Sequence, residues 1–279
     1  KKDIHSNSTD QQATNANTLT RFLKNGFEIS NDNEVNTSAE SYVGWQWLFD
    51  SLTTSTNDDG TVDSTIIANT TAGVSIAQWT HTTSSNYTVG HGLGATPKMI
   101  WVKTLDQGTN WGVYHPYLTT GNRIILNSTG AQSSGYWGAN TWNSTVFSIG
   151  SARDSNGSTA IGYVFAEVEG FSSIGHFIGN GSTDGSFVYT GFQPAWVITK
   201  NINNSGDAWP IADNARSPFN PANATVFANQ TTAETTGYQI DLLSNGFKAR
   251  TTDHAVNESG AAYIYMAFAE QPFKTANAR

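Results

Sequence analysis

Short apolar runs recur along the chain, and each is bounded by polar, glycine-containing stretches such as Asn-Gly, Ser-Gly or Asp-Gly. Runs of this kind with turn signals between them predict β-strands, and no long segment has the period of an amphipathic helix. The clearest predicted strands are 98–103, 123–126, 160–168, 187–189, 196–199 and 262–269. The last is apolar throughout, which predicts a central strand covered on both faces. The pattern therefore predicts an all-β protein made of antiparallel β-sandwiches of the jelly-roll type.

The same landmarks occur twice in the same order, which indicates internal repeats. The matched pairs are Pro97 and Pro194, Lys103 and Lys200, Trp111 and Trp209, Asn127 and Asn229, Phe147 and Phe247, Asn156 and Asn257, and Glu167 and Glu270. The start of the chain carries only the later landmarks, where Asn7, Phe27 and Asn36 match the second half of the repeat. The sequence therefore predicts tandem copies of one β-unit.

These landmarks divide the chain into four parts. Residues 1–50 are predicted to be the C-terminal half of an incomplete repeat, whose first half is not in this sequence. Residues 51–72 match nothing elsewhere and contain a polar Asp-Asp-Gly turn, so we expect a linker. We predict one complete β-sandwich repeat at 73–170 and a second, with a C-terminal tail, at 171–279. We call the three repeats the first, second and third units.

Composition narrows the range of partners. Charged residues are 13% of the chain, roughly half the usual share of about 25%, and the net charge is −8. The 14 Lys and Arg residues are scattered, so no basic stripe can neutralise phosphates or an anionic membrane surface. We therefore expect neither nucleic acid nor membrane insertion. With no cysteine, disulfides and thiolate metal sites are excluded.

One loop has a composition that suits a sugar. Most of the 9 Trp residues lie on predicted strands, where packing is their ordinary role. In "GYWGANTWNST" the aromatics instead lie among Gly, Asn and Ser, without counterparts in the third unit. Flat aromatic rings beside amides and hydroxyls match the face of a sugar ring. Tyr136, Trp137, Asn140 and Trp142 are therefore the predicted glycan-contact residues, with packing on the neighbouring unit as the alternative.

No catalytic residues are predicted. The 6 His residues form no His-Glu-x-x-His motif, and Gly-x-Ser-x-Gly does not occur. Glu167 and Glu169 would share one face of a strand, as a glycosidase pair requires. However, Pro272 takes the place of Glu169 in the third unit, so we interpret Glu167 as structural.

Calcium is the remaining cofactor to consider. Carboxylate oxygens are the ligands that Ca²⁺ prefers, and several acidic residues lie near predicted turns. They are Asp58, Asp59, Asp63 and Asp184. The full spacing of an EF-hand loop is missing, and a solvated turn is the alternative. We therefore predict no cofactor, with Ca²⁺ bound by these carboxylates as the alternative.

Several longer strings resemble a known repeat family. These include "NTSAESYVGWQW", "VGHGLGATPKMIWVK", "NWGVYH", "FAEVEGF" and "LLSNGFKAR" followed by "NESGAAYIYMAFAEQPFK". They resemble the repeats of marine tailed-phage virion proteins of tail-fibre-like or capsid-fibre-like type. The resemblance covers nearly the whole chain and is weakest over 51–72.

The resemblance implies a concanavalin-like β-sandwich fold and a structural, non-enzymatic role on the virion surface. It implies a homo-oligomer, since phage fibres are commonly trimers, in contact with other virion proteins and with host surface glycans. Two alternatives remain open. One is a capsid decoration or filament-forming subunit assembled by strand complementation, and the other is a polysaccharide depolymerase.

Overall fold

A computed structural model describes residues 2–23, 26–49, 53–81, 85–138, 142–151 and 155–271. Its regular structure is almost entirely β-strand, arranged in antiparallel sheets, with two helical turns of four residues each. The prediction of an all-β fold built from antiparallel sandwiches is confirmed. No helix in the described part of the chain is long and apolar enough to cross a membrane.

The first unit contains two hairpins and one helical turn. Its elements are β1 (Lys2–Asp3), β2 (Ala13–Thr14), β3 (Leu19–Leu23), β4 (Gly26–Ile29) and α1 (Asn33–Asn36). β1 pairs with β2, and β3 pairs with β4. The stretch 41–49 that follows α1 forms no strand.

The second unit is a two-layer sandwich. Its elements are β5 (Ser55–Asn57), β6 (Ser64–Asn69), β7 (Val74–Thr80), β8 (Tyr87–Gly90), β9 (Met99–Thr104), β10 (Gly112–Tyr114), β11 (Asn122–Ile125), β12 (Ser133–Ser134), β13 (Val146–Ile149) and β14 (Thr159–Phe165). Eight strands form one layer in the order β12-β11-β10-β9-β14-β7-β6-β5, and β13 pairs with β8 in the other. Phe147 and Ile149 of β13 point into the core between the layers and are fully buried.

The prediction of a linker at 51–72 is wrong for much of that stretch. β5 and β6 extend the large sheet, with β6 paired to β7 from Ser64↔Trp79 to Asn69↔Val74. Hydrogen bonds compensate for burial of the polar residues Ser64 and Asn69 at the two ends of β6. Ser64 Oγ donates to the Gly90 carbonyl at 2.8 Å, and Asn69 Oδ1 accepts from Ala72 N at 2.9 Å.

The third unit repeats the second. Its elements are β15 (Ser172–Ile178), β16 (Phe187–Tyr189), β17 (Pro194–Asn201), β18 (Pro210–Asp213), β19 (Val226–Phe227), β20 (Ile240–Leu243), β21 (Gly246–Ala249), α2 (His254–Asn257) and β22 (Ala262–Ala269). The order β15-β22-β17-β18-β19 reproduces β7-β14-β9-β10-β11 of the second unit, and β16-β21 reproduces β8-β13. β22 lies between β15 and β17 and is buried along nearly its whole length, as predicted for a central strand.

The first unit reproduces the second half of the repeat at the level of register. Lys2↔Thr14 in β1–β2 corresponds to Asn122↔Ser134 in β11–β12. The β3–β4 hairpin corresponds to β20–β21, and α1 corresponds to α2. Both helical turns begin at an aspartate cap, Asp32 or Asp253, whose side chain accepts the backbone N–H two residues later.

The three units meet around one apolar cluster. The equivalent residues Ile4, Ile124 and Val226 each lie three positions before a landmark asparagine, and all belong to this cluster. Trp47 of the first unit meets Trp196 of the third with ring centroids 6.0 Å apart. The first and third units also make a direct polar contact, in which Ser6 Oγ donates to the Ala228 carbonyl at 2.6 Å. All three units therefore contribute side chains to one shared core.

Candidate functional site

The predicted glycan surface contains a stacked pair of aromatic rings. Trp142 lies parallel to Tyr114, with ring centroids 3.7 Å apart and planes inclined by 6°. Trp137 approaches Trp142 edge-on at 5.4 Å. Tyr114 ends β10, so the sheet fixes one ring of the pair, while Trp142 lies in the loop before β13. Both stacked rings are partly exposed.

Tyr136 and Trp137 are buried, which corrects the expectation that they are exposed. They are only 8% and 7% accessible and belong to the core of the second unit. Tyr136 packs on Gly112, where a side chain would collide with its ring, and its hydroxyl donates to the Asn110 carbonyl at 3.1 Å. Asn140 lies outside the described residues. Trp142 is therefore the predicted residue that the structure leaves accessible.

A buried histidine fixes the loop that carries Trp142. Leu93 N donates to His91 Nδ1 at 3.2 Å, so the ring proton resides on Nε2, which faces the Asn143 carbonyl at 3.2 Å. The imidazole also stacks on Phe147. Burial lowers the pKa of His91, which keeps the ring neutral near pH 7.

The repeated tryptophans connect neighbouring units. Trp111 Nε1 in the second unit donates to the His5 carbonyl in the first at 2.8 Å. Trp209 Nε1 in the third unit donates to the Ile125 carbonyl in the second at 3.0 Å. His5 and Ile125 are equivalent, because each lies two residues before a landmark asparagine. The same bond therefore occurs at both boundaries.

Two further bonds accompany each tryptophan. Lys103 Nζ donates to the Thr9 carbonyl at 3.1 Å, and Gln12 N donates to the Leu105 carbonyl at 2.8 Å. At the next boundary the corresponding bonds are Lys200 Nζ to the Thr129 carbonyl at 3.3 Å and Gln132 N to the Ile202 carbonyl at 3.1 Å. We call each set of tryptophan, lysine and glutamine bonds a unit joint.

The landmark asparagines hold the tryptophans in place. Asn127 Oδ1 accepts the backbone N–H of Trp111 at 2.8 Å, and Asn229 Oδ1 accepts that of Trp209 at 3.0 Å. Each asparagine belongs to the same unit as its tryptophan, so it orients the indole toward the neighbouring unit. The landmark residues of the repeat are therefore the residues that build the joint.

The joint lysines are buried cations. Lys103 and Lys200 are inaccessible to solvent, and their ammonium groups are satisfied by backbone carbonyls. Burial lowers the pKa of Lys200 to about 8, although the nearby Asp207 carboxylate opposes this effect. The burial that lowers the pKa of Lys200 is part of the unit joint between the second and third units.

Asp207 also anchors the helical turn α2. Its carboxylate contacts His254 Nδ1 and accepts a hydrogen bond from Asn201 Nδ2 at 2.8 Å. This contact with Asp207 raises the pKa of His254. The imidazole is 69% exposed, whereas the carboxylate is 1% exposed. The pair therefore links the protein surface to the buried end of β17.

The calcium candidates do not converge on one site in the described part of the chain. Asp184 Oδ1 lies 3.3 Å from Arg250 Nη1 and also contacts Lys248, and these interactions, above all that with Lys248, lower the pKa of Asp184. Asp59 instead accepts a hydrogen bond from Asn57 Nδ2 at 3.0 Å. A different group, Asp3, His5 and Glu34, has ligand atoms within 4.8 Å of one another, with His5 and Glu34 exposed.

The carboxylates considered for glycoside hydrolysis lie on the surface. Glu167 Oε2 accepts the backbone N–H of Ile174 at 3.1 Å, which is the structural role expected for it. Glu169 is exposed in the turn that follows β14. Neither residue lines the open cleft of about 440 Å³ beside β5, β6 and β7. That cleft is lined mainly by hydroxyl groups, including those of Thr56, Thr61 and Thr80.

Sequence reasoning identified the joint residues as landmarks but missed their role. The signal was the co-occurrence of lysine, tryptophan and asparagine in the same order in both complete repeats. Tyr114 was also missed, because a single tyrosine on a predicted strand is ordinarily a packing residue.

The comparisons with known proteins give a family but no activity. No curated protein matches the chain, and no solved structure matches it. Residues 1–272 match the model of a family described as a domain of unknown function, DUF7483. Since this match extends over nearly the whole chain, the protein belongs to the DUF7483 family.

Proposed function

We propose that the chain is a non-enzymatic structural subunit of a tailed-phage virion, within a fibre or appendage that contacts host surface glycans. The observation that carries the proposal is the unit joint, which occurs with the same bonds at both unit boundaries. A protein that repeats one joint around a shared apolar core forms a rigid scaffold, which suits a structural subunit. The resemblance to phage fibre repeats supplies the virion setting.

Glycan contact is assigned to the accessible flank of the Trp142–Tyr114 stack. A partly exposed indole fixed by a second ring offers its accessible apolar surface at little cost in side-chain entropy. A single shallow surface of this kind binds weakly, so a homo-oligomer, with a trimer expected, would gain affinity through several simultaneous contacts.

The test is glycan-array binding of the intact assembly, with its mass determined by native mass spectrometry. We expect binding to bacterial surface polysaccharides that is lost in Trp142→Ala. Phe219→Ala serves as the control, because Phe219 is an exposed aromatic of the third unit and lies outside the loop. A monomer that retains no glycan would refute the proposal.

A second candidate is a capsid decoration or filament-forming subunit assembled by strand complementation. It is favoured by the apolar face of the β3–β4 hairpin, where Phe22 is 70% exposed. A neighbouring polypeptide would cover this face by adding strands to the first unit. In this case the chain would form mixed complexes with other virion proteins without binding glycan. A polysaccharide depolymerase would instead require turnover that Glu167→Gln abolishes.

A further inference from the structure

The β3–β4 hairpin exposes residues that are buried at the matching positions of the other units. Phe27 is 39% exposed, whereas Phe147 and Phe247 are 0% and 1% exposed. The same holds across the strand pair, because Phe22 is 70% exposed and its counterpart Leu242 only 5%. In the third unit the hairpin packs on the large sheet, where Phe247 meets Tyr265 at 5.2 Å. In the described part of the first unit no such sheet lies against the hairpin.

One edge of β1 is also open. Its counterpart β11 pairs with β12 on one side and with β10 on the other, through Gly112↔Ile125 and Val113↔Ile124. β1 pairs with β2, but no described strand pairs with Ile4 and His5, the counterparts of Ile124 and Ile125. The backbone groups on this edge can accept an added strand.

The third unit carries the acceptor half of a further unit joint. Phe227, Thr231 and Glu234 correspond by position to Ile125, Thr129 and Gln132. Outside the strand ladders, no described backbone group donates to the carbonyls of Phe227 and Thr231 or accepts from the backbone N–H of Glu234. Across the β18–β19 ladder Phe227 lies opposite Pro210, which has no backbone N–H to donate.

The side chain of Asn7 also lacks the partner that its counterparts have. Its counterparts Asn127 and Asn229 both accept the backbone N–H of a joint tryptophan. Asn7 Oδ1 has no donor within the described ranges. Asn7 lies next to Ser6, which contacts Ala228 beside the free Phe227 carbonyl. The open groups of the first and third units therefore face one location.

We propose that this location binds the strand pair of a further repeat of this type. The partner strand pair consists of an apolar strand that ends in lysine, a turn, and a second strand that opens with tryptophan, as in 97–114 and 194–213. The second strand adds to β1, and its tryptophan N–H binds Asn7 Oδ1. The indole Nε1 of that tryptophan donates to the Phe227 carbonyl, and the lysine donates to the Thr231 carbonyl.

The occupant is a half-repeat rather than a second copy of the whole chain. In this chain β9 and β17 are interior strands of their sheets, and Trp111 and Trp209 are already bonded. A second copy would have to open its own joints to supply them. The inference rests on the strand-complementation form of the proposed function and specifies the chemistry of its partner.

The test measures binding of a fluorescein-labelled polypeptide spanning 171–213 to the intact chain by fluorescence anisotropy. We expect saturable one-to-one binding, weakened at least about tenfold when the polypeptide carries Trp209→Ala. Phe22→Ser in the intact chain should weaken binding by a similar factor, and its exposed position spares the fold. Phe219→Ser is the matched control, because Phe219 is 83% exposed in the third unit and should leave binding unchanged.

Several outcomes would overturn the inference. These are no saturable binding, equal binding of the Trp209→Ala polypeptide, or equal losses from Phe22→Ser and Phe219→Ser. A stable dimer of the chain alone that Phe22→Ser dissociates would assign the face to a second copy instead. Glycan-array binding is measured separately, so failure of the strand-pair partner and failure of the glycan function are distinguishable.

Discussion

The indole of Trp209 donates a hydrogen bond to the carbonyl of Ile125 across the boundary between the second and third units, at 3.0 Å. The bond joins a side chain to the main chain, so it depends on the position of the acceptor strand rather than on the identity of its side chain. This explains how His5 serves as the acceptor at the other boundary, where it replaces an isoleucine. The joint tolerates sequence change on its acceptor side.

Removing the joint donor should destabilise the chain. Trp209→Phe and Trp111→Phe each leave a backbone carbonyl without its donor, and we expect each to lower the free energy of unfolding by about 1–3 kcal/mol. Trp101→Phe is the control, because Trp101 Nε1 is buried without an acceptor among the described residues. Urea unfolding measures all three. Equal losses in the three variants would contradict a specific role for the indole bond.

The two helical turns provide a matched pair of asparagines. Asn257 is fully buried, and acceptor oxygens of Asn180, Ser182 and Thr251 lie within 3.0 Å of its Nδ2. Its counterpart Asn36 has one such acceptor, the Ser30 carbonyl. Asn257→Ala should lower the free energy of unfolding by about 2–4 kcal/mol, and Asn36→Ala by about 1 kcal/mol or less. Thermal unfolding compares the two, and a larger loss from Asn36→Ala would contradict the structure.

Lys200 should titrate near pH 8. Burial favours the neutral amine and lowers the pKa of Lys200 to about 8, whereas a lysine in water has a pKa of about 10.4. Because the unfolded chain then binds this proton more tightly, the contribution of Lys200 to stability increases as pH rises from about 8 toward 10.5. Carbon-13 NMR of labelled lysine Cε atoms should show a signal with this midpoint. The same signal must be missing in Lys200→Met, and a midpoint near 10.5 would contradict the burial.

His115 should make the chain sensitive to acid. Burial, together with the nearby His176 and Lys98, lowers the pKa of His115 from 6.5 to about 3. The unfolded chain therefore binds a proton that the folded chain rejects. Stability should fall as pH drops from about 6.5 toward 3, by up to roughly 1.4 kcal/mol per pH unit.

Substitution separates this effect from that of other histidines. His115→Gln should reduce the slope of unfolding free energy against pH between 6.5 and 4.5. His254→Gln is the control with the opposite sign, because contact with Asp207 raises the pKa of His254. The stabilisation that the His254–Asp207 contact gives the folded chain is fully present below pH 6.5. It is lost as pH rises through the pKa of His254 in the folded state. An unchanged slope in His115→Gln would contradict the assignment.

The sequence did not predict the burial of several polar or loop residues. The loop "GYWGANTWNST" is polar on average, yet Tyr136 fits against Gly112, a residue distant in sequence. The prediction of a linker over 51–72 rests on the missing repeat match and the polar Asp-Asp-Gly turn. Within that stretch, hydrogen bonds to the distant carbonyls of Gly90 and Leu48 allow Ser64 and Asn69 to be buried. In each case a long-range partner determined the burial.

The sequence by itself determined the all-β class, the central position of 262–269 and the order of the repeat landmarks. These depend on local properties, namely the spacing of apolar residues and the glycine-containing turns between them. Only the tertiary structure decided that Lys103, Trp111 and Asn127 act together across a unit boundary. It also decided that Phe27 is exposed while Phe147 and Phe247 are buried. Local sequence cannot distinguish these positions, because burial depends on whether a sheet from elsewhere in the fold lies against the hairpin.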